Sequence, residues 1–156
     1  MQVAVGTRKF DVVKSEADGT EVFYESGSQI PYTGWVKMMF GSGEVEGLVY
    51  VIAGKLGGQM AGWHENGQKK LEGTYKDGKV DGMQKGWYVN GQKAKVLIFN
   101  DDKLWTATVW QPNGEKCPMT KVVDGNGILI NYSEDGSSVE RTLVKDGDGT
   151  FIPGEE

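Results

Sequence analysis

The sequence predicts an all-β protein, an elongated antiparallel β-meander built from tandem hairpin repeats. Glycine accounts for 24 of the 156 residues against 4 prolines, and the chain also contains five Trp, six Tyr and five Phe. Many turns together with many aromatic side chains are typical of β-sheet proteins and unlike disordered chains. In addition, Asn-Gly and Asp-Gly dipeptides recur at a regular spacing, with short stretches of alternating apolar and polar residues between them.

The repeat is clearest in residues 62–82, which read GWHENGQKKLEGTYKDGKVDG. A shift of 24 residues places this stretch on residues 86–106, and the tryptophans and Asn-Gly dipeptides then coincide. Further along the chain the spacing shortens to 23 and then 22 residues. A near-constant period with repeated turn residues indicates a repeat architecture, and about five tiles of roughly 22–24 residues fit between Tyr32 and Phe151.

Each tile holds two turns and is therefore predicted to form a hairpin of two strands. Asn-Gly and Asp-Gly both suit two-residue hairpin loops, in which both central residues have positive φ. Around Asp77-Gly78 such a loop places Tyr75 opposite Val80. Two residues further from the turn, it places Gly73 opposite Gly82. The equivalent cross-strand pairs are Val51 with Leu56, Phe99 with Leu104, Val122 with Gly127, and Val144 with Gly149. Because a single sheet has no second layer, we expect little conventional core.

The chain is long enough for one domain, and we expect one domain with three parts. Residues 1–30 are predicted to be an irregular N-terminal lead-in with two short strands. Residues 31–151 are predicted to be the repeat array, and residues 152–156 an acidic tail.

The formal charge of −5 is unevenly distributed along the chain. Residues 66–103 carry eight lysines against five acidic groups, a net charge of +3, whereas the segments on either side are acidic. An acidic chain is a poor candidate for binding nucleic acid or an anionic membrane surface, so neither is predicted as a partner. The basic segment is either a contact patch for a protein or a solvated, lysine-rich strand face that protects the sheet from aggregation.

The compartment is left open by the sequence. Cys117 is the only cysteine, so the chain has no internal disulfide, and no apolar run reaches the length of a membrane span. The N-terminus, MQVAVGTRKF, lacks the apolar core of a signal peptide. The chain as written is therefore expected in the cytoplasm, and the alternative is a secreted protein or lipoprotein whose export signal has been removed.

The tile ENGQKKLEGTYKDGKVDG resembles the MORN-repeat variant, in which the pattern Tyr/Trp-x-x-Asn-Gly-x-x-x-x-x-Gly-x-Tyr-x-x-Gly recurs. The segment PYTGWVKMMFGSG, residues 31–43, is similar to the Pro-Phe/Tyr-Thr-Gly entry segment of such proteins. The likeness covers most of the chain, and the sequence departs from the pattern at Leu97 and Asp102. Proteins of this kind include YwqK-type antitoxins, so the resemblance implies a MORN-like repeat fold, a binding role and a toxin-like protein partner.

The sequence predicts neither an enzyme nor a cofactor or metal site. His64 is the only histidine, and its tile equivalents are Tyr88 and Gln111, so we interpret it as a surface residue rather than a catalytic base. Cys117 has no histidine near it in sequence, which disfavours a Cys–His enzyme. Asp146 and Asp148 resemble half a calcium loop, but the rest of the loop is missing and Asp146-Gly147 falls on a turn of the repeat.

The best binding candidates are aromatic and basic residues of the middle tiles. Three tryptophans recur at one tile position and are predicted to form a ladder beside exposed lysines. These candidate residues are Trp63, Trp87, Trp110, Lys69, Lys70 and Lys93. The predicted function is a non-catalytic protein-binding module or scaffold, with a toxin or an envelope component as its partner. The alternatives are an envelope protein whose aromatic ladder binds glycan or lipid headgroups, and rings that only cover their own glycines. The oligomeric state is left open.

Overall fold

A computed structural model describes residues 3–5, 8–14, 19 and 21–152 of the chain. These residues form strands, turns and bends without any helix, which confirms the all-β prediction. A membrane-spanning helix is accordingly absent from the described ranges. Of the predicted acidic tail, residues 153–156 lie outside the described residues.

Fifteen strands follow one another along the described part of the chain. Three lie in the predicted lead-in: β1 (Val3–Val5), β2 (Arg8–Lys14) and β3 (Glu21–Glu25). The others are β4 (Gly34–Met39), β5 (Val45–Ile52), β6 (Lys55–Trp63), β7 (Lys69–Lys76), β8 (Lys79–Val80), β9 (Gly82–Trp87), β10 (Lys93–Asn100), β11 (Lys103–Val109), β12 (Lys121–Val123), β13 (Asn126–Tyr132), β14 (Val139–Lys145) and β15 (Asp148–Ile152).

The strands form two antiparallel sheets. Strands β1, β2 and β3 make a small sheet, and β4 to β15 make a 12-stranded sheet in which each strand pairs with its neighbours in the chain. The short β8 and the following β9 both pair with β7, because they are two parts of one interrupted strand. The order of the large sheet confirms the predicted meander.

Turns with two left-handed residues line one edge of the large sheet, which we call the Asp-Gly edge. Both residues of Asp77-Gly78 have positive φ, 53° and 86°, as the predicted two-residue loop requires. Tyr75 pairs with Val80 as predicted. The other predicted pairs, Val51–Leu56, Phe99–Leu104, Val122–Gly127 and Val144–Gly149, are also present.

Turns of a different kind line the opposite edge, which we call the Asn-Gly edge. Gly67 has a φ of 80°, but Asn66 is not among the residues with positive φ, so the prediction for this dipeptide is wrong. The Gly67 amide donates to the His64 carbonyl, and the His64 amide donates to the Gln68 carbonyl, at 2.8 Å each. This pattern is a three-residue loop with Gly67 in a bulge, a second solution that Asn-Gly satisfies equally well.

The predicted pairing of Gly73 with Gly82 is also wrong. Gly73 pairs with Met60 on one side, and Gly82 pairs with Phe99. The cause is an irregularity after the turn, where the Asp81 amide donates to the Thr74 carbonyl and Gly82 takes a φ of 84°. An inserted residue of this kind shifts the register of the rest of the strand, which two-residue-loop geometry does not anticipate.

The sheet buries more side chains than expected. Three buried clusters lie along it: Phe23, Val36, Val49 and Val51; Leu97, Leu104, Val122 and Val144; and Val109, Cys117 and Ile130. In the C-terminal half the Asp-Gly turns converge, because the Gly147 amide donates to the Gly125 carbonyl and the Leu104 amide to the Gly147 carbonyl. This convergence curls the sheet and encloses the second cluster.

Candidate binding surface

Successive turns of the Asn-Gly edge are joined by their asparagine side chains. The Asn66 Oδ1 accepts from its own turn, and its Nδ2 donates to the Val89 carbonyl at 2.8 Å, one tile further along. Asn90 repeats this arrangement, donating to the Pro112 carbonyl at 3.1 Å. Asn113 keeps the bond within its turn, but its Nδ2 reaches only Glu115. The first two asparagines therefore link successive turns, and we call a hydrogen bond from a side chain of one tile to the backbone of the next a rung.

A second row of rungs runs beside the first. The Nε2 of His64 lies 2.9 Å from the Trp87 carbonyl oxygen and must carry the hydrogen, because a carbonyl oxygen only accepts. At the equivalent position, the Tyr88 hydroxyl donates to the Trp110 carbonyl at 2.7 Å. Burial, followed by the charge of Glu134, raises the pKa of Tyr88, so this hydroxyl stays a donor at neutral pH. His64 thus links two tiles by a hydrogen bond. Its alignment with Tyr88 in the repeat does not by itself predict this role.

Trp87 and Trp110, whose carbonyls accept these bonds, each have a lysine ammonium above the ring. Trp63, Trp87 and Trp110 are all half-buried. The Lys69 ammonium lies 5.6 Å from the Trp87 ring centroid, and the Lys93 ammonium lies 5.0 Å from that of Trp110. Both distances fall within the range of a cation–π interaction. The predicted ladder is therefore a row in which lysines and rings alternate.

Lys69 is held from two sides. Its ammonium also forms an ion pair with Glu72 at 2.7 Å, and Glu72 accepts a second lysine, Lys85, at 3.1 Å. The hydrogen bonds from Lys69 and Lys85 lower the pKa of Glu72. Lys93 has no such carboxylate, since no described acidic group lies within ion-pair distance of it. Its charge is therefore the more available of the two for a partner.

A groove lies on the other side of the sheet, and three of the six candidates also line it. We call this the core side, since it carries Val49, Met60 and Leu71. The groove has an apolar section of about 510 Å³ between the two sheets and an adjoining basic section of about 440 Å³ over β7, β9 and β10. Trp63 lines the apolar section, Trp87 lines the basic section and Lys70 lines both. The groove therefore borders the row of lysines and tryptophans at Trp63 and Trp87.

Lys95 is the residue of this groove that sequence reasoning missed. It lies in the basic section, and its side chain runs over the bare backbone of Gly86. A signal was available, because Lys95 occupies the tile position held by Leu71 one repeat earlier. A lysine at an apolar repeat position indicates a special role for that position.

Cys117 lies in the third buried cluster with only 2% of its surface exposed. Its Sγ accepts hydrogen bonds from the Tyr132 hydroxyl at 3.2 Å and the Thr120 hydroxyl at 3.6 Å. Burial opposes ionisation of the thiol, but these bonds outweigh it and lower the pKa of Cys117. Burial and the bond to Cys117 raise the pKa of Tyr132 to about 12.

The aspartates that resemble half a calcium loop have other roles. Asp146 has a φ of 51° and forms a turn with Gly147, as predicted from the repeat. The Asp148 carboxylate forms an ion pair with Lys103 at 2.5 Å. Within the described ranges, no three His, Cys, Asp or Glu side chains are grouped so as to hold a metal ion.

Comparison with known proteins gives no significant match, whether to a protein-family model, to a curated protein or to a solved structure.

Proposed function

We propose that the protein is a non-catalytic binding module or scaffold, built as an elongated array of about five MORN-like tiles. The regular alternation of the two turn types supports the array. The partner is another protein, by the antitoxin resemblance a toxin, or else an envelope component.

The observation that carries the proposal is the alternation of lysines and tryptophans along the Asn-Gly edge. The rings of Trp87 and Trp110 are anchored in the sheet, and each supports an exposed lysine. Because the asparagine and histidine rungs hold this surface in place, binding costs little ordering of loops or side chains. Tryptophan is also a common anchor at protein interfaces. We therefore place the contact on the middle tiles, residues 66–103 with Trp63 and Trp110 at their borders.

The partner chemistry follows from the charge of this surface. Lys93 is exposed and forms no ion pair with a described residue, and the segment around it has a net charge of +3. An acidic protein surface is the natural complement, and electrostatic steering would raise the association rate.

The test begins with capture of a partner from the source organism by pull-down. Lys93→Glu should slow association and weaken its dependence on salt, whereas Lys121→Glu, an exposed lysine far from this edge, should change neither. Lys69 is a poor choice for charge reversal because a glutamate there would face Glu72. Trp87→Ala should weaken binding with little change in salt dependence. A partner whose affinity is unchanged in folded Lys93→Glu and Trp87→Ala variants would place the contact elsewhere.

The second candidate is an envelope protein that binds glycan by stacking on aromatic rings. Trp35 favours it, because the residue is 46% exposed. Its ring packs edge-to-face with that of Tyr50, with 5.2 Å between the ring centroids. The rings of Trp87 and Trp110 suit a sugar less well, since each already carries a lysine. Glycan-array binding that is lost in Trp35→Ala would select this function over the first.

A further inference from the structure

The groove on the core side has an apolar floor. Its apolar section is lined by Phe23, Val36, Met38, Val49 and Leu56, and it continues through Met60, Leu71 and Tyr75 toward the basic section. Apolar sites of about 300–1,000 Å³ with a few placed polar groups are typical of small-molecule sites in proteins. The size and lining of the groove therefore fit a small apolar ligand.

Two lysines provide the polar groups at one end. Lys70 and Lys95 line the basic section together with Glu134, whose carboxylate accepts the Val89 amide at 2.8 Å. Neither lysine takes part in an ion pair with a carboxylate in the described part of the chain. Although much of the Lys95 side chain is exposed, the groove walls crowd its ammonium, and this loss of hydration lowers its pKa. An anionic group beside Lys95 would restore the lost stabilisation of the charge.

The opposite end of the groove carries the opposite charge. Glu21 and Glu46 line the apolar section where it approaches the small sheet. A ligand with one anionic end would therefore place that end at Lys70 and Lys95 and its apolar part toward Met38 and Val49. Two glutamates at one end, and an excess of lysines over Glu134 at the other, thus favour one orientation.

The floor also limits the kind of ligand. It is the face of a sheet whose strands pair with neighbours on both sides, so its backbone donors and acceptors are already used. An extended peptide lying there would leave its own amides without partners from the floor, which is costly. A hydrocarbon chain makes no such demand.

We propose that this groove binds a long-chain monocarboxylate, with the alkyl chain along the apolar floor and the carboxylate between Lys70 and Lys95. The site borders the row of lysines and tryptophans on the Asn-Gly edge, the lysine–tryptophan edge, because Trp87 also lines the basic section, but it does not depend on the protein-binding function proposed above. No covalent step is involved.

The experiment is calorimetric titration of the full chain with dodecanoate, below the concentration at which it forms micelles. We expect saturable binding at one site. Octanoate, with four fewer methylenes, should bind at least about tenfold more weakly. Lys95→Met keeps the apolar stem over Gly86 and removes the charge, and it should weaken dodecanoate binding about tenfold or more. Lys76→Met, which changes an exposed lysine outside the groove, should leave the affinity unchanged.

Two further measurements make the test decisive. The cationic dodecyltrimethylammonium should bind much more weakly than dodecanoate, since it would meet both lysines with the wrong charge. In the wild-type protein, NMR titration of the Lys95 side chain should show its pKa rising when dodecanoate is bound, which needs no variant to fold. The proposal is overturned by absent binding, by equal affinity in folded Lys95→Met, by equally tight binding of the cation, or by an unchanged Lys95 pKa. If an acidic peptide displaces dodecanoate, and Lys95→Met leaves dodecanoate affinity unchanged, the groove belongs to a protein partner and the proposal is overturned.

Discussion

Replacing Asn90 by alanine tests whether the asparagine side chains join successive turns. The substitution removes two hydrogen bonds, one to the Gln92 amide at 2.9 Å within the turn and one to the Pro112 carbonyl at 3.1 Å in the next. A hydrogen bond contributes about 0.5–1.5 kcal/mol net to stability, and both bonds here are exposed. We therefore expect Asn90→Ala to lower the free energy of unfolding by about 1–2 kcal/mol.

Asn113 provides the matched control for this prediction. It makes the same bond within its turn, at 3.0 Å to the Glu115 amide, but its Nδ2 stays within the turn. Asn113→Ala also removes two hydrogen bonds, but the one from Nδ2 joins two exposed side chains of the same turn and contributes little. The substitution should therefore cost less than Asn90→Ala by the value of one rung, about 0.5–1 kcal/mol. Asn90→Asp keeps the bond within the turn and loses the bond to Pro112, so its loss of stability should be smaller than that of Asn90→Ala. Repulsion between the new carboxylate and the Pro112 carbonyl would add to this loss.

The assay is urea unfolding followed by circular dichroism, with the slope of the transition compared between variants. Equal losses in Asn90→Ala and Asn113→Ala would show that the inter-turn bond contributes nothing. A changed slope would show that the array no longer unfolds as a single unit, and the free energies could then not be compared directly.

The remaining predictions concern glycines and tyrosine ionisation. Gly127→Ala should lower the free energy of unfolding by about 3 kcal/mol or more, because φ is 138° and the new Cβ would overlap the Lys121 carbonyl oxygen. Gly41→Ala, where the new Cβ meets open space, should be nearly neutral, and thermal unfolding of both variants checks the difference. The pKa of Tyr132 is raised from 10.0 to about 12, so the stability that its neutral hydroxyl contributes is present below pH 10 and lost as the pH rises from about 10 to 12. Melting temperatures in this window should therefore fall more steeply for wild type than for Tyr132→Phe, and parallel curves would contradict the assignment.

The register near the Asp-Gly turns was predictable because Asp77-Gly78 adopts the two-residue loop that its sequence favours. Asn66-Gly67 was not, since the dipeptide fits either a two-residue loop or a three-residue loop with a bulged glycine. Only the pairing of the flanking strands decides between these, and that pairing depends on contacts beyond the turn. The bulge at Gly82 was missed for a similar reason, because a bulge changes register without changing the apolar pattern.

The core and the groove could not be predicted from the sequence pattern. The second buried cluster depends on contacts between turns far apart in the chain, such as the Leu104 amide with the Gly147 carbonyl. The groove requires the small sheet to lie against the large one. Of the groove residues, Lys95 could have been predicted, because it occupies the repeat position that Leu71 holds one tile earlier.

The measurement that most directly tests the proposed binding function is hydrogen exchange of the protein with and without its captured partner. If the lysine–tryptophan edge is the contact, binding should slow amide exchange in residues 87–93 and 110–115, where the Asn-Gly turns and the tryptophans lie. Residues 77–79 and 101–103 on the Asp-Gly edge should exchange as in the free protein. Protection confined to the Asp-Gly edge, or absent from both edges in a saturated complex, would contradict the proposed surface.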